Sequence, residues 1–275
     1  MTTDSHQHFW DLSRFHYEWL KHQPKVLRRN YLPQDLLPLL KETEVQHTVV
    51  VQAHNSLEEA EWLLDLADAH EFLAGVVAWV DLTSPRISEV LAQLSKRPKL
   101  RGIRYADAEG NERWLLGEEV LHGLREVARY KLTFDVLVRP HHLKYIPTLA
   151  DQVPELRMVV DHIAKPRIAP NELEPWATDI AKLADIPQIY CKVSGMVTEA
   201  DWKRWTVEDL KPYVDHVLKV FGVERLMWGS DWPVCLLAAN YHEVYRSVLE
   251  VTDSLSREQR EKLYGLNAQR FYRLT

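Results

Sequence analysis

The sequence has few of the features that mark several large protein classes. It contains only two cysteines, Cys191 and Cys235, which is too few for a disulfide framework and typical of a reducing compartment. No apolar run approaches the 18 or more residues that a membrane-spanning helix needs. The first residues include neither a basic segment nor a long apolar stretch. We therefore expect no signal peptide and a cytoplasmic protein.

Blocks of like charge are also missing. The formal net charge is −6, and the basic and acidic residues are interspersed. This pattern predicts no nucleic-acid partner and no membrane-surface partner. The sequence has no visible repeat and no Gly/Ser- or Pro-rich linker, so we predict one domain over residues 1–275. The oligomeric state stays open, and a homo-oligomer is compatible with this composition.

What the sequence does contain is a regular alternation of short apolar, β-rich runs with longer helical patterns. The predicted strands are Thr3–His8, His47–Ala53, Leu73–Val80, Leu100–Tyr105, Leu132–Val138, Arg157–Asp161, Gln188–Val193 and Arg225–Gly229. The predicted helices are Gln34–Thr43, Ser56–His70, Pro85–Ser95, Glu118–Tyr130, Leu143–Gln152, Glu172–Ala184, Val207–Phe221, Tyr241–Val251 and Arg257–Phe271. Leu12–Pro33 is predicted to be an irregular segment that folds over a pocket, and Asp107–Asn111 a turn-rich loop.

This alternation predicts the fold class. Strands separated by helices are parallel and are joined by right-handed crossovers. Eight such units in about 250 residues match the (β/α)8 TIM barrel, an α/β fold. The alternative is an open doubly wound sheet. That fold usually carries a glycine-rich phosphate loop after its first strand, and this sequence has none there.

Two histidines, His6 and His8, stand near the end of the first predicted strand. Side chains on a strand alternate between faces, so these two point the same way, about 6–7 Å apart along the strand. Two imidazoles on one face can hold one metal ion, such as zinc, iron, nickel or copper, and leave positions open for water and substrate. The alternative is an ordinary polar segment at the start of the chain.

Polar residues also follow most of the other predicted strands, at the end of a barrel that carries its chemistry. They are His54, Arg104, Arg139 with His141 and His142, His162 with Lys165, Ser194, and Asp231 with Trp232. Some have simpler explanations: His54 as a loop residue, Arg139 as the partner of a helix acid, and Asp231 as a loop cap. Strand alternation predicts that Asp161 faces the helix layer if His162 faces the pocket. Lys192 lies within a strand and is a candidate for a buried ion pair.

Several of these motifs occur together in a known family. The segments Asp4-Ser5-His6-Gln7-His8, Val160-Asp161-His162 with Lys165-Pro166, Lys192-Val193-Ser194-Gly195 and Gly229-Ser230-Asp231-Trp232-Pro233-Val234-Cys235 resemble the amidohydrolase superfamily. More narrowly, they resemble its sugar-acid lactonases of the L-fuconolactonase and L-rhamnonolactonase type. The similarity extends over essentially the whole chain. It implies a distorted (β/α)8 barrel and hydrolysis of a lactone.

The resemblance also implies roles for individual residues. The strand-one pair His6 and His8 would bind metal, and His162 and Asp231 would bind metal or transfer protons. Many members add a bridging lysine or a histidine after strand four or five, where this chain has Arg104 and Arg139. A two-metal site is therefore not expected, and one divalent ion, most simply Zn²⁺, is. Related lactonases of dicarboxylate substrates work without metal, so the ion could be dispensable.

The function that we expect is water attack on the carbonyl of a small-molecule sugar-acid lactone. Asp231 would be the general base and His162 would orient substrate or complete the metal shell. The substrate-binding candidates are Arg104, His54, Arg139, Trp232 and Ser194, and tryptophans such as Trp10 and Trp202 suit the apolar face of a sugar. The alternatives are a metal-dependent decarboxylase, a metal-free hydrolase of a dicarboxylate lactone, and a binding module without catalysis.

Overall fold

The computed structural model describes residues 2–105 and 112–274, so the predicted turn at Asp107–Asn111 lies outside the described residues. Within these ranges, eight strands form one sheet in which each strand pairs in parallel with the next along the chain. They are β1 (Thr3–Gln7), β2 (His47–Val51), β3 (Leu73–Ala78), β4 (Leu100–Tyr105), β5 (Thr133–Val136), β6 (Arg157–Val160), β7 (Ile189–Val193) and β8 (Leu226–Trp228). The helices between them make this a (β/α)8 barrel, as the alternation predicted.

The barrel closes where the chain leaving β8 meets β1. The backbone N–H of Asp231 donates to the carbonyl of His6 at 2.8 Å, and the N–H of His8 donates to the carbonyl of Trp232 at 2.7 Å. Gly229 permits this close approach, because a Cβ at this position would lie 2.8 Å from the Cβ of His6. Closure therefore brings the two ends of the sequence together at the mouth of the barrel.

The helices surround the sheet and bury its outer face. They are α1 (Pro33–Glu42), α2 (Leu57–Ala69), α3 (Ile87–Leu94), α4 (Glu118–Arg129), α5 (Ile146–Gln152), α6 (Trp176–Ala184), α7 (Val207–Phe221), α8 (Tyr241–Val251), α9 (Arg257–Glu261) and α10 (Asn267–Tyr272). Within the described residues, no helix combines the length and apolar character needed to cross a bilayer.

Three predicted helices differ from the observed ones. The helix predicted at Glu172–Ala184 begins only at Trp176, because Pro175 disfavours helical geometry in the residue before it. The segment Pro140–Tyr145 is a 3₁₀ helix that precedes α5. The last predicted helix contains one π-helical turn, Lys262–Leu266, between α9 and α10.

The irregular segment Leu12–Pro33 does lie over the barrel mouth. It contains two short 3₁₀ helices, Glu18–His22 and Lys25–Leu27. An antiparallel bridge between Trp10 and Tyr31 fixes the two ends of this segment next to β1. Its aromatic side chains therefore have defined positions around the entrance.

Helix α10 closes the opposite end of the barrel. Its side chains Ala268, Phe271 and Tyr272 pack against apolar residues from four strands, and the strand residues are Val49, Val51, Val77, Val159 and Met227. Further bonds join α10 to the first residues of strands: Asn267 Nδ2 donates to the carbonyl of Leu226 at 2.7 Å, and Arg157 donates to the carbonyl of Arg270 at 3.2 Å.

Candidate active and metal-binding site

Four side chains from three separate parts of the chain converge at the barrel mouth. The Nε2 atoms of His6 and His8 are 3.2 Å apart. Oδ1 of Asp231 lies 3.3 Å from Nε2 of His8, 3.8 Å from Nε2 of His6 and 3.9 Å from Nε2 of His162. The same-face arrangement predicted for the two histidines is therefore present, with the acid that follows β8 beside them.

The spacing of these atoms fits one metal ion. Ligands that sit about 2.0–2.1 Å from a tetrahedral zinc ion are about 3.3 Å from each other. The ring nitrogen Nδ1 of His8 lies 2.7 Å from the carbonyl of Val51, and a carbonyl can only accept, so Nδ1 carries the proton and Nε2 keeps its lone pair. The lone pair on Nε2 of His8 and the carboxylate of Asp231 can therefore bind one divalent cation between them.

The Nδ1 atoms of the other two histidines also contact polar partners on the side away from the metal site, as is usual for metal-binding histidines. Nδ1 of His162 lies 2.9 Å from the hydroxyl of Ser194. Nδ1 of His6 lies 3.3 Å from Oδ1 of Asp161 and 3.0 Å from Nζ of Lys192. Burial lowers the pKa of His6, His8 and His162, so the rings are neutral near pH 7 and available as ligands.

A left-handed turn places His162 in the site. The four residues from His162 to Lys165 all have positive φ, between 46° and 61°, and the N–H of Lys165 donates to the carbonyl of His162 at 2.8 Å. One turn separates these two residues, so both side chains reach the cavity while Ile163 and Ala164 are buried. Such backbone conformations are costly and cluster at functional sites.

The same turn overturns the prediction for Asp161. This residue points into the barrel, not to the helix layer, and its oxygens lie 3.0 Å from Nζ of Lys192 and 3.5 Å from Nη1 of Arg104. Asp161 follows the alternation of β6, since it comes two residues after the inward-facing Val159, and the left-handed turn that begins at His162 brings His162 to the same side. Lys192 forms the buried ion pair that was predicted, with Asp135 at 2.5 Å.

Asp231 is fixed by its own backbone and by a carboxylate from β1. Its φ is 56°, a left-handed conformation. Oδ1 of Asp4 accepts hydrogen bonds from the N–H of His6 at 3.1 Å and of Ser230 at 2.9 Å, and Oδ2 accepts from the hydroxyl of Tyr241 at 3.1 Å. Asp4 thus joins β1 to the loop that carries Asp231. Burial would raise the pKa of Asp231, but His162 and His8 outweigh it and hold that pKa below its ordinary value.

His8, His162 and Asp231 line a cavity of about 250 Å³. Sites for drug-sized ligands are commonly about 300–1,000 Å³, so this one suits a small molecule. The polar lining is His8, Gln52, Asn55, Arg104, His162, Lys165 and Asp231, and the apolar lining is Trp19, Ala53, Leu137 and Val234. Nη1 of Arg104 lies 3.4 Å from Nε2 of His6, so its positive charge is beside the metal-binding side chains.

Four predicted substrate-binding residues do not line this cavity. His54 packs against Phe15 and Tyr17 and lines a neighbouring groove, because the loop after β2 turns it away from the mouth. Trp232 is buried against aromatic neighbours. Arg139 is largely exposed and lies 3.7 Å from Glu199. Ser194 is buried behind His162, which it holds in place.

The sequence analysis missed Trp19 and Gly195. Trp10 is buried, and Trp202 does not line the cavity, whereas the half-exposed Trp19 does. The signal for Trp19 was its position in the irregular segment, which was predicted to cover a pocket. Gly195 has φ of 60°, and a Cβ there would lie 2.5 Å from Nδ1 of His162. It followed Ser194 in a recognised motif, but its steric role depends on the folded structure.

Comparisons with known proteins agree with this geometry. The family model described as Amidohydrolase matches residues 3–274. An L-fucono-1,5-lactonase from Burkholderia ambifaria is 38% identical, with 98% of this chain and 95% of that protein covered. An L-fucono-1,5-lactonase from Burkholderia multivorans is 36% identical, with the same coverage.

A solved structure gives the same result for the fold. The crystal structure of an amidohydrolase from Burkholderia multivorans with bound zinc superimposes with a TM-score of 0.94 at 35% sequence identity, and the alignment covers 100% of both chains. A family model that spans nearly the whole chain, relatives above one-third identity and this superposition together place the protein in the amidohydrolase family.

Proposed function

We propose that this protein is a lactonase that hydrolyses a sugar-acid lactone of the L-fuconolactone type. The observation that carries the proposal is the position of Asp231, whose ionised carboxylate lies beside Nε2 of His8 and lines a small cavity. A carboxylate in this position can accept a proton from the water molecule that attacks an ester carbonyl. The relatives named L-fucono-1,5-lactonase support this substrate class.

Asp231 transfers a proton in both stages of the reaction, the attack of water and the opening of the ring. Water adds to the lactone carbonyl carbon and gives a proton to the Asp231 carboxylate. The bond from that carbon to the ring oxygen then breaks, and protonated Asp231 returns the proton to the departing oxygen. The product is an open-chain hydroxy acid, which ionises at neutral pH. Because the pKa of Asp231 is lowered, it is in the base form at the start of each turnover.

The metal that we propose is a single zinc ion held by His6, His8, His162 and Asp231. A Zn-bound solved relative supports this choice of metal. When bound, zinc polarises a carbonyl and lowers the pKa of a coordinated water. The chain's own contribution is to keep three imidazoles neutral by burial and to hold the outer nitrogens of His8 and His162 through Val51 and Ser194.

Polar and apolar residues of the cavity lining have separate roles in substrate binding. Arg104 lines the cavity beside His6, and its guanidinium would stabilise the negative charge that develops on the carbonyl oxygen during attack. Lys165, placed by the left-handed turn, adds a second cation, and Gln52 and Asn55 can bond ring hydroxyls. Trp19, Leu137 and Val234 offer an apolar surface for the C–H face of the ring.

The test is hydrolysis of a panel of sugar-acid lactones, followed by titration of the released proton at constant pH. We expect proton release that is stoichiometric with lactone opening, and faster turnover of neutral sugar lactones than of a dicarboxylate lactone. Aromatic carboxylates are assayed in parallel for carbon dioxide. Carbon dioxide without lactone opening would support the decarboxylase alternative, and no turnover of any lactone would contradict the proposal.

A further inference from the structure

The end of the barrel opposite the mouth carries a group of positively charged side chains beside helix α10. Arg101, Lys131 and Arg157 stand at or close to the start of β4, β5 and β6, and Arg273 follows α10. Two adjoining cavities of about 290 Å³ and about 560 Å³ share Lys131 and Arg273 in their linings. Arg101 lines the smaller cavity and Arg157 the larger one. These four side chains and the two cavities are called the basic groove below.

The four cations of the basic groove form no ion pair with an acid among the residues that the structure describes. Two other arginines of the linings do form such pairs. Arg97 lies 2.6 Å from Asp68, and Arg129 lies 3.2 Å from Glu126. Glu155 is the one acid among the described lining residues, and it is exposed. The groove therefore carries a local excess of positive charge, although the whole chain has a formal net charge of −6.

Arg101 is the member of the basic groove with the fewest protein contacts to its charge. Its side chain is partly buried, none of its guanidinium nitrogens donates a hydrogen bond to a described residue, and its Nε atom is shielded from solvent. Burial, and then repulsion by Arg273, lower the pKa of Arg101, and the same two causes lower the pKa of Arg157. Ser95, in the lining of the smaller cavity, also has a buried hydroxyl without a hydrogen-bond partner in the described chain. Buried polar groups in proteins are normally hydrogen-bonded, so two such donors beside one cavity favour a ligand that supplies acceptor oxygens.

Two other members of the groove are held by backbone carbonyls. Arg157 donates to the carbonyl of Arg270 at 3.2 Å and lies over the ring of Phe271, 5.0 Å from its centroid. Arg273 donates to the carbonyl of Lys131 at 3.4 Å. A carbonyl fixes the direction of a guanidinium but does not neutralise its charge, and other N–H groups remain to bind a ligand. The groove is therefore organised for an anion before the anion binds.

We propose that the basic groove binds a small multivalent anion of the phosphate-ester class, at a site separate from the cavity at the barrel mouth. Guanidinium groups bind phosphate oxygens through paired N–H donors, and a lysine adds a compact positive charge. The cavity volumes suit a small molecule, and the acidic net charge of the chain disfavours an extended polyanion such as a nucleic acid. A bound anion would link Arg273, which follows α10, to the first residues of the neighbouring strands and so stabilise this end of the barrel. This inference depends neither on the lactonase reaction nor on the metal site.

The test is the binding of inorganic phosphate to the full-length protein, measured by titration calorimetry at constant ionic strength with chloride as the compensating anion. Arg273→Gln removes the exposed arginine that both cavities share, so this variant should fold. Arg101→Met removes the partly buried charge and keeps an unbranched side chain. Arg204→Gln is the matched control, because it removes an exposed arginine that pairs with Asp201 outside the groove. His8→Ala tests whether phosphate binds at the metal site instead.

We expect the parent to bind phosphate with a Kd of about 1 mM or lower, and its Tm to rise with phosphate concentration by mass action. Arg273→Gln and Arg101→Met should each weaken binding by about tenfold or more, because a charge-assisted hydrogen bond to the anion is lost. Arg204→Gln and His8→Ala should bind phosphate like the parent. Equal weakening in Arg204→Gln would show a general effect of charge, and loss of binding in His8→Ala alone would assign phosphate to the metal site. Either result, or a parent protein that binds no phosphate, would overturn the inference and leave the proposed lactonase reaction untouched.

Discussion

Oδ1 of Asp231 lies 3.3 Å from Nε2 of His8, although these residues come from opposite ends of the sequence. Barrel closure creates this contact, because the chain after β8 hydrogen-bonds to the backbone of His6 and His8. The carboxylate therefore sits where it can both bind a cation and exchange a proton with water. The first prediction concerns this residue.

Asp231→Asn should lower kcat by about 10²–10⁴-fold, because the amide cannot accept a proton from water or return it to the leaving oxygen. Asparagine tolerates left-handed backbone as well as aspartate does, so the φ of 56° should persist and the variant should fold. Lactone hydrolysis and thermal melting are measured on one preparation. A lower Tm with kcat of the folded fraction within a few-fold of the parent would instead assign Asp231 a structural role.

Metal removal should inactivate the enzyme reversibly. We expect elemental analysis to find up to one zinc per chain, and chelation to lower both kcat and Tm, since a ligand that binds only the folded state stabilises it. Added zinc should restore both. His8→Ala should lose zinc and show no response to the chelator. Full activity in a chelated, metal-free sample would leave His6 and His8 as hydrogen-bonding residues.

Trp19 should contribute to substrate binding more than to the chemical step. Trp19→Ala is expected to raise KM about tenfold, equivalent to about 1.4 kcal/mol, with kcat little changed, and Trp19→Phe should recover part of the loss. Trp202→Ala is the matched control, because Trp202 has similar exposure and does not line the cavity. Equal KM values for the two alanine variants would show that Trp19 does not contact the substrate.

Gly195 should be required for the position of His162. Gly195→Ala places a Cβ 2.5 Å from Nδ1 of His162, so the ring must move, and we expect lower kcat and weaker zinc binding. Gly222→Ala has nearly the same backbone strain, with φ of 67°, but meets nothing within 4 Å. Both variants should lose some stability, since alanine is disfavoured at positive φ. Equal kcat in the two variants would contradict the steric role of Gly195.

Glu59 should make stability depend on pH. It accepts hydrogen bonds from the N–H groups of Ala53 and His54, and burial raises its pKa to about 7 from 4.5. A pKa raised by folding gives a stabilising contribution that is complete below pH 4.5 and is lost as pH rises through about 7. Glu59→Gln cannot ionise.

Glu59→Gln should therefore gain stability relative to the parent between pH 5 and pH 8, on the order of 3 kcal/mol at most. Urea unfolding of both proteins at the two pH values measures this difference. A difference in free energy of unfolding that does not change with pH would mean that Glu59 titrates at the same pH in the folded and unfolded chain.

Local patterns in the sequence determined the architecture of this protein. Apolar runs of strand length, separated by helical periodicity, predicted eight parallel strands, and that prediction is confirmed. The His-x-His spacing predicted that His6 and His8 share a face, because side-chain alternation on a strand depends only on neighbouring residues. The ordered motifs also identified the amidohydrolase family.

Only the tertiary structure decided which polar residues meet. The sequence prediction placed Asp161 on the outside because it assumed regular alternation up to His162, but a left-handed turn that begins at His162 lets both residues face the barrel interior. Trp19 lines the cavity because the long segment before α1 folds back over the barrel mouth. The bond from Tyr272 to Asp135 joins α10 to β5, and no local pattern predicts it. Such contacts depend on barrel closure, which fixes distances between residues that are far apart in the chain.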